Sequence, residues 1–549
     1  MVQPIILPPP IVHHEPKSIT ASGQISRDLY RSFWVLPAKD TDNIHLGVIP
    51  SAEKIVFSSQ YDMRIRVHEE HRYWDIFSPK GATWEVYFDQ LLRPQLTRYF
   101  ASIDYQVKKP GQHLENNALL PWIEKGFKQA QWIGPPKMDA KNTKDQLTRY
   151  FLSLAEFPSE TQAKAFCKQL RAAFSQSCQV IGRIELPLLG SGRLIAKNST
   201  FKQDFTGVIE LMAKPGQSVL IHDVPVKLLS KEKKTIAVKD RLFILPNQKE
   251  QLTVVETLPL AHYLAGVLPA EIYPSAPIEA LKAQAIIART FTLSQLWSHY
   301  ALEPFYTCVT TQCQVYHGST QRYPSVEKAI AQTSNYVLKT VQGDFAKTFY
   351  HASSGGITDQ AQIIFSHSAY VHLPKPGTAY QGQANDFLSK QAYDLSDSTV
   401  LRDIIKRKEK TYCNNTRFSS NADTWERHFS GKDLQQIFGS PVLDMAIVKR
   451  GISGRAIALR ITTKNGTTNI VNELNIRKKL QGLPSSLMVL DLQKNAQGLV
   501  TKLHITGRGR GHGVGLSQMG AIGRAQAGQN HQQILRTYYP NTILSTILP

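Results

Sequence analysis

The chain has 549 residues, more than one hydrophobic core normally supports, so roughly two to four domains are expected. Its 64 Lys and Arg against 43 Asp and Glu leave a net charge of +21, which favours a polyanionic partner: nucleic acid, anionic lipid or an acidic polysaccharide. Zinc-finger spacing, RNA-recognition signatures and a basic region with heptads are all missing, which argues against nucleic acid. No run of about 18 apolar residues supports a transmembrane segment.

Met1 to Pro10 reads MVQPIILPPP, without the basic-then-apolar order of a secretory signal. Residues 1–25 carry the proline run and paired histidines and read as a tail. A β-rich region is expected over 26–144. Short alternating runs such as Lys54–Phe57 and Met63–Val67 predict half-buried strands, and the polar, lysine-rich stretch 106–144 predicts a loop-dominated connection. The string Gln95-Leu-Thr-Arg-Tyr-Phe recurs 51 residues later from Gln146, as a duplicated strand–helix unit would. Over 145–192 the pattern is a strand, an amphipathic helix opening at Ser159, and a strand from Cys178. That succession resembles the small SPOR domains, which implies binding to glycan lacking stem peptides; an ordinary strand–helix–strand packing unit is the alternative.

From 193 to 549 a single large domain is expected. Its first part is β-rich, with strands at Arg193–Ala196, Gly207–Leu211, Ser218–Ile221 and Gln251–Val255. A long helix then begins near Pro277, which suits a first helical turn, with Glu279 near the positive helix end. Its apolar residues cover most sides, so it belongs inside the protein. Glu271 precedes it in Leu268-Pro269-Ala270-Glu271-Ile272, a carboxylate among apolar neighbours beside a turn. Such a group suits a general acid, or else caps or pairs with Lys282 or Arg289, which stand seven residues apart on one helix face.

Further along, Cys308 and Cys313 have four residues between them, which fits a local disulfide, a zinc site with His299, His317 or His351, or packing cysteines. Five cysteines in all cannot pair completely within the chain. His351, Ser353 and Ser354 precede Gly355-Gly356 without a nucleophile elbow or an identifiable acidic third member, and read as a polar groove wall. Glycines at 507, 509, 511, 513 and 515 alternate and never form a nucleotide loop. They admit a close backbone crossing or the approach of a sugar ring, with His512, Ser517 and Gln518 beside them.

Taken in order, these segments resemble the stage II sporulation protein D and amidase enhancer family (SpoIID/LytB) over about residues 195–549. The matching positions are Tyr263, Leu264, Gly266, Val267, Pro269 and Glu271, then Glu279 through Ala285, Ala288, Arg289 and Thr290. Ala261-His262 stands where the family usually has an acidic pair, and Ile272 where Met is usual. The resemblance implies an α+β fold, a β-rich domain around a buried helix with a smaller α+β N-terminal region. It implies a lytic transglycosylase that cuts peptide-stripped peptidoglycan glycan strands, with Glu271 as the sole acid and base. It places Lys282, Gln284, Arg289, Gln314, Tyr316, His351, Ser353, Ser354, Arg508, His512, Ser517 and Gln518 as substrate-binding residues. Zinc at Cys308 and Cys313 is the cofactor to test, because some relatives resemble zinc proteins at this loop. An extracytoplasmic location, glycan strands and a cell-wall amidase as partners follow from the same resemblance. The alternative function is a noncatalytic glycan-binding enhancer of that amidase.

Overall fold

The computed structural model describes Leu29 and residues 35–69, 73–107, 112–134, 147–197, 199–214, 216–225, 233–294, 302–305, 307–309, 313–316, 318, 321–365, 383–389, 391–414, 416–418 and 423–548. The expected tail and the histidines His299 and His317 lie outside them. The fold is α+β and divides into two compact units. The first takes residues 1–271 and 295–322, the second 272–294 and 323–547, the last two residues apart. No helix among the described residues is long and apolar enough to cross a membrane.

In the first unit a five-stranded antiparallel sheet holds Leu96–Val107 and Leu147–Phe157 as neighbours, flanked by Val35–Leu36, Gln131–Ile133 and Gln179–Leu186. The two copies of the repeated string therefore lie on adjacent strands, running in opposite directions. Glu160–Phe174 is the expected helix: Ser159 caps it by accepting from the Gln162 N–H, and Ala163, Phe166 and Leu170 enter the core. A disulfide joins Cys167 on that helix to Cys178 at the head of the next strand. The stretch expected to be loop-dominated contains the helix Gln112–Glu124. Pro121 inside it and its polar composition hide the period from sequence inspection.

A six-stranded antiparallel sheet and a seven-stranded sheet, antiparallel except at its Thr307–Cys308 edge, complete this unit. The expected strands appear as Lys54–Ser59, Met63–His68, Leu189–Ala196, Val208–Met212, Val219–Pro225 and Leu252–Pro259. The last of these carries a run of buried side chains and leads directly into a short helix, Leu260–Glu271.

In the second unit the helix Ile278–Ser294 is the core, as its all-round apolarity requires. Ala283, Ile286 and Ile287 meet Ala521 and Ile522 of the helix Gln518–Gln526, Ile534, Leu535 and Tyr538 of the helix His531–Tyr538, and Leu338. Two three-stranded sheets, one ordered Thr424–Ser430, Val500–Arg508, Met488–Lys494 and the other Val442–Arg450, Ala456–Thr463, Gly466–Val471, enclose a second core around Trp425, Phe429, Leu459 and Ile505.

Candidate active site

Glu271 is the last residue of the short helix Leu260–Glu271, half-buried, with Pro269 inside the final turn. Tyr263, Leu264, Val267 and Leu268 bury the helix in the first unit. Residues 313–316 and Gly318 lie against it. The backbone N–H of Val315 donates to Oε1 of Glu271 at 2.8 Å, which fixes how the carboxyl is presented. The neighbouring contacts hold that donor in place. Tyr316 stacks on Tyr263 with ring centroids 5.7 Å apart and planes at 25°. Gln314 donates through Nε2 to the Tyr263 hydroxyl at 3.2 Å, and the Tyr316 hydroxyl donates to Oε1 of Glu256 at 3.3 Å. Gly266 makes the close approach possible, because a Cβ there would stand 2.3 Å from the Tyr316 ring and 2.7 Å from the Gly318 carbonyl oxygen.

Cys308 and Cys313 are joined as a disulfide that closes the start of this loop, and Thr307–Cys308 adds a parallel bridge to Leu46–Gly47. In that state neither sulfur supplies a thiolate, so the pair does not fit zinc. Gln314 and Tyr316, expected at the substrate, are buried at 1% and 0% exposure and brace the Glu271 loop from inside. Glu256 is buried beneath them. Burial, with Asp240 adding to it and the Tyr316 hydroxyl opposing, pushes its carboxyl up to about 8.

The other expected residues belong to the second unit. Lys282 pairs with Glu279 at 2.8 Å, and Glu279 also accepts from the backbone N–H of His531 and contacts its ring. Burial opposes charge on Glu279, but Lys282 and His531 together outweigh it and bring the carboxyl down to about 2. Arg289 is fully buried and donates to the carbonyls of Ala285 and Tyr336, tying the central helix to the strand Tyr336–Lys339. Gln284 is fully buried too, and neither of its amide atoms has a partner among the described residues.

The glycine segment crosses residues 349–359 at close quarters. A Cβ on Gly515 would lie 1.9 Å from the Phe349 carbonyl oxygen, and one on Gly513 would lie 2.1 Å from the Arg455 guanidinium carbon. The polar groups at this crossing face one another. Ser353 donates to Asp423, which also takes Arg508 at 2.7 Å. Ser354 donates to Asp386 at 2.6 Å, and Asp386 further accepts from Tyr538 and Arg524. Ser517 caps its helix through the Gly520 N–H and accepts from the Ser354 N–H. Ser353, Ser354, Arg508 and Ser517 are at most 3% exposed, so the expected groove wall is an internal network. His351 is buried with Nδ1 at the Val514 carbonyl, and burial holds its ring well below the usual histidine range. His512 is brought down to about 3, by burial first and then by Arg477 and Arg455. Gln518 is also buried, and its Nε2 has no partner among the described residues.

Sequence inspection missed Asp386 and Asp423, which accept from the hydroxyls of the expected serines, and Arg524, which pairs with Asp386. They sit in stretches with no motif, and only the chain crossing brings them together.

Residues 248–339 match the SpoIID family, described as stage II sporulation protein, and residues 375–515 match a domain of unknown function, DUF8618. An uncharacterised protein of Brachyspira hyodysenteriae is 29% identical over 290 residues, 53% of this chain and 67% of that protein. The amidase enhancer of Bacillus subtilis is 27% identical over 293 residues, 52% of this chain and 40% of that protein. Stage II sporulation protein D of Bacillus subtilis is 28% identical over 307 residues, 53% of this chain and 76% of that protein. Residues 248–339 thus carry a SpoIID domain, and over about half of its length the chain is similar to stage II sporulation protein D and the amidase enhancer.

Proposed function

We propose that this protein is a peptidoglycan lytic transglycosylase of the cell wall, acting on peptide-stripped strands with Glu271 as its only acid and base. The observation that carries the proposal is the carboxyl of Glu271, positioned by the Val315 N–H on a helix end that a disulfide-closed loop braces. A hydrolase of the usual kind needs two carboxylates at the scissile bond. A transglycosylase needs one. Glu271 gives its proton to the oxygen bridging N-acetylmuramic acid and N-acetylglucosamine as that bond to the muramyl C1 breaks. The muramyl 6-hydroxyl then attacks C1, and its proton returns to the Glu271 carboxylate. The product is an anhydro ring, no water is consumed, and the acid is regenerated.

The net charge of +21 suits strands whose lactyl carboxylates are free once peptides are gone. The disulfides Cys167–Cys178 and Cys308–Cys313 fit an oxidising, extracytoplasmic compartment. Lys282 and Arg289 then act by shaping the central helix and not through the sugar, since both are engaged within their own unit.

The name of the amidase enhancer relative favours a second reading, a glycan-binding protein that stimulates a cell-wall amidase without cutting. Amidase-stripped strands incubated with the protein and with Glu271→Gln, and analysed by mass spectrometry, separate the two. Anhydromuramyl ends from the unsubstituted protein alone support transglycosylation. Binding by both proteins with no cut strands would remove the enzyme and leave the enhancer.

A further inference from the structure

In the second unit, one outward face of a three-stranded sheet gathers three side chains of the kind that hold transition metals. The strand Thr424–Ser430 pairs antiparallel with Val500–Arg508, and His428 lies directly opposite His504. Trp425, Phe429, Leu503 and Ile505 take the inward positions, so the period of two puts Glu426, His428 and His504 together on the outer face. The two imidazoles stack with centroids 4.3 Å apart and planes within 11°. Both turn Nε2 toward one carboxylate oxygen: Oε2 of Glu426 is 3.3 Å from His504 and 3.9 Å from His428. The three ligand atoms all lie within 4.8 Å of one another.

We propose that Glu426, His428 and His504 form a Zn²⁺ site that clamps these two strands. Around a tetrahedral zinc with bonds of about 2.0–2.1 Å, ligand atoms stand about 3.3 Å apart. The Glu426–His504 separation already meets that, and the exposed His428 ring has to swing out of the stack to direct its lone pair at the same point. Two imidazoles and one carboxylate suit zinc, whereas calcium and magnesium take oxygen ligands throughout. Asp491 lies opposite His504 on the third strand, but Arg402 holds it at 2.7 Å. Three protein ligands therefore leave at least one coordination position to solvent, the open arrangement of a zinc that can accept an outside ligand. An ion bound only by the folded strands also stabilises them by mass action. The site lies within the stretch that matches the domain of unknown function, and it is independent of the Glu271 chemistry.

The full chain, stripped with chelator and dialysed, should be titrated with ZnCl₂ by calorimetry, with MgCl₂ and CaCl₂ in parallel. One zinc equivalent should disappear in His428→Ala and in His504→Ala, with affinity for that equivalent falling on the order of 100-fold or more. All three residues are exposed or half-exposed, so the metal-free melting temperatures of the variants should match the parent. A Cys308→Ser/Cys313→Ser variant should keep this equivalent, which separates it from any zinc taken by the cysteine loop. Zinc should raise the parent's melting temperature and leave that of the His428→Ala/His504→Ala double variant unchanged. Identical stoichiometry and affinity in the parent and the double variant would overturn the site and leave only a histidine–glutamate hydrogen-bonded cluster.

Discussion

Gly266 lies so close beneath the ring of Tyr316 that a side chain at that position would occupy the ring's own space. The contact matters because the residue before Tyr316 supplies the N–H that orients Glu271. Gly266→Ala should therefore push the loop off the helix. Stability should fall by about 1–3 kcal/mol, as for other overpacked cores, and strand cutting should fall further than the melting temperature alone accounts for. Thermal unfolding and the mass-spectrometric digest, run on the same preparation, check both parts.

Glu271→Gln keeps the shape and an acceptor for the Val315 N–H but carries no transferable proton. Cutting should drop by about 10²–10⁴-fold with the melting temperature unchanged. A fall in both together would place Glu271 in the architecture and not in the chemistry.

Opening the Cys308–Cys313 link, by reductant or by Cys313→Ser, should loosen the Val315 donor. Hydrogen exchange at the Val315 amide should quicken, and strand cutting should fall about 10-fold. The link closes a loop of few residues, so the loss of global stability should be small. Unchanged exchange at Val315 would show that stacking of Tyr316 on Tyr263 alone positions the loop.

Glu256 gives the first unit a pH dependence of definite sign. Its carboxyl titrates near 8 in the folded protein and near 4.5 when unfolded, so between those values the native state holds a proton that the unfolded chain has released. Stability from this group is full below about 4.5 and declines as pH rises toward 8, by an amount on the order of a few kcal/mol. Glu256→Gln should flatten that decline in denaturant melts taken from pH 5 to 8. A slope identical to the parent's would show that Glu256 is not its source.

Asp386 accepts from Ser354, Tyr538 and Arg524 in the buried centre of the second unit. Asp386→Ala leaves the Arg524 charge without its partner and should cost about 3–5 kcal/mol in urea unfolding. Ser354→Ala removes a neutral donor from the same carboxylate and should cost less, about 1 kcal/mol.

Much of this architecture is legible in local sequence. Alternation marks the strands at Lys54–Ser59 and Met63–His68, Ser159 marks a helix start, and the apolar girth of Ile278–Ser294 marks a core helix. These are short-range signals, set by the pleat, the helical period and capping chemistry. The helix ending at Glu271 is less visible because Pro269 and Gly266 stand inside it, residues that normally interrupt helices.

Sequence alone determined that Glu271 is a carboxylate in an apolar setting, that residues 507–515 admit a close backbone crossing or a sugar ring, and that the helix after Pro277 is buried. Only the tertiary structure decided what those features meet. Val315 reaches Glu271 from 44 residues away, Asp386 and Asp423 turn the serines of 353–354 inward, and the register of two strands 76 residues apart aligns His428 with His504. Such pairings carry no local pattern, because burial and hydrogen bonding select partners by position in space, and a polar residue looks the same in sequence whether it faces water or another buried charge.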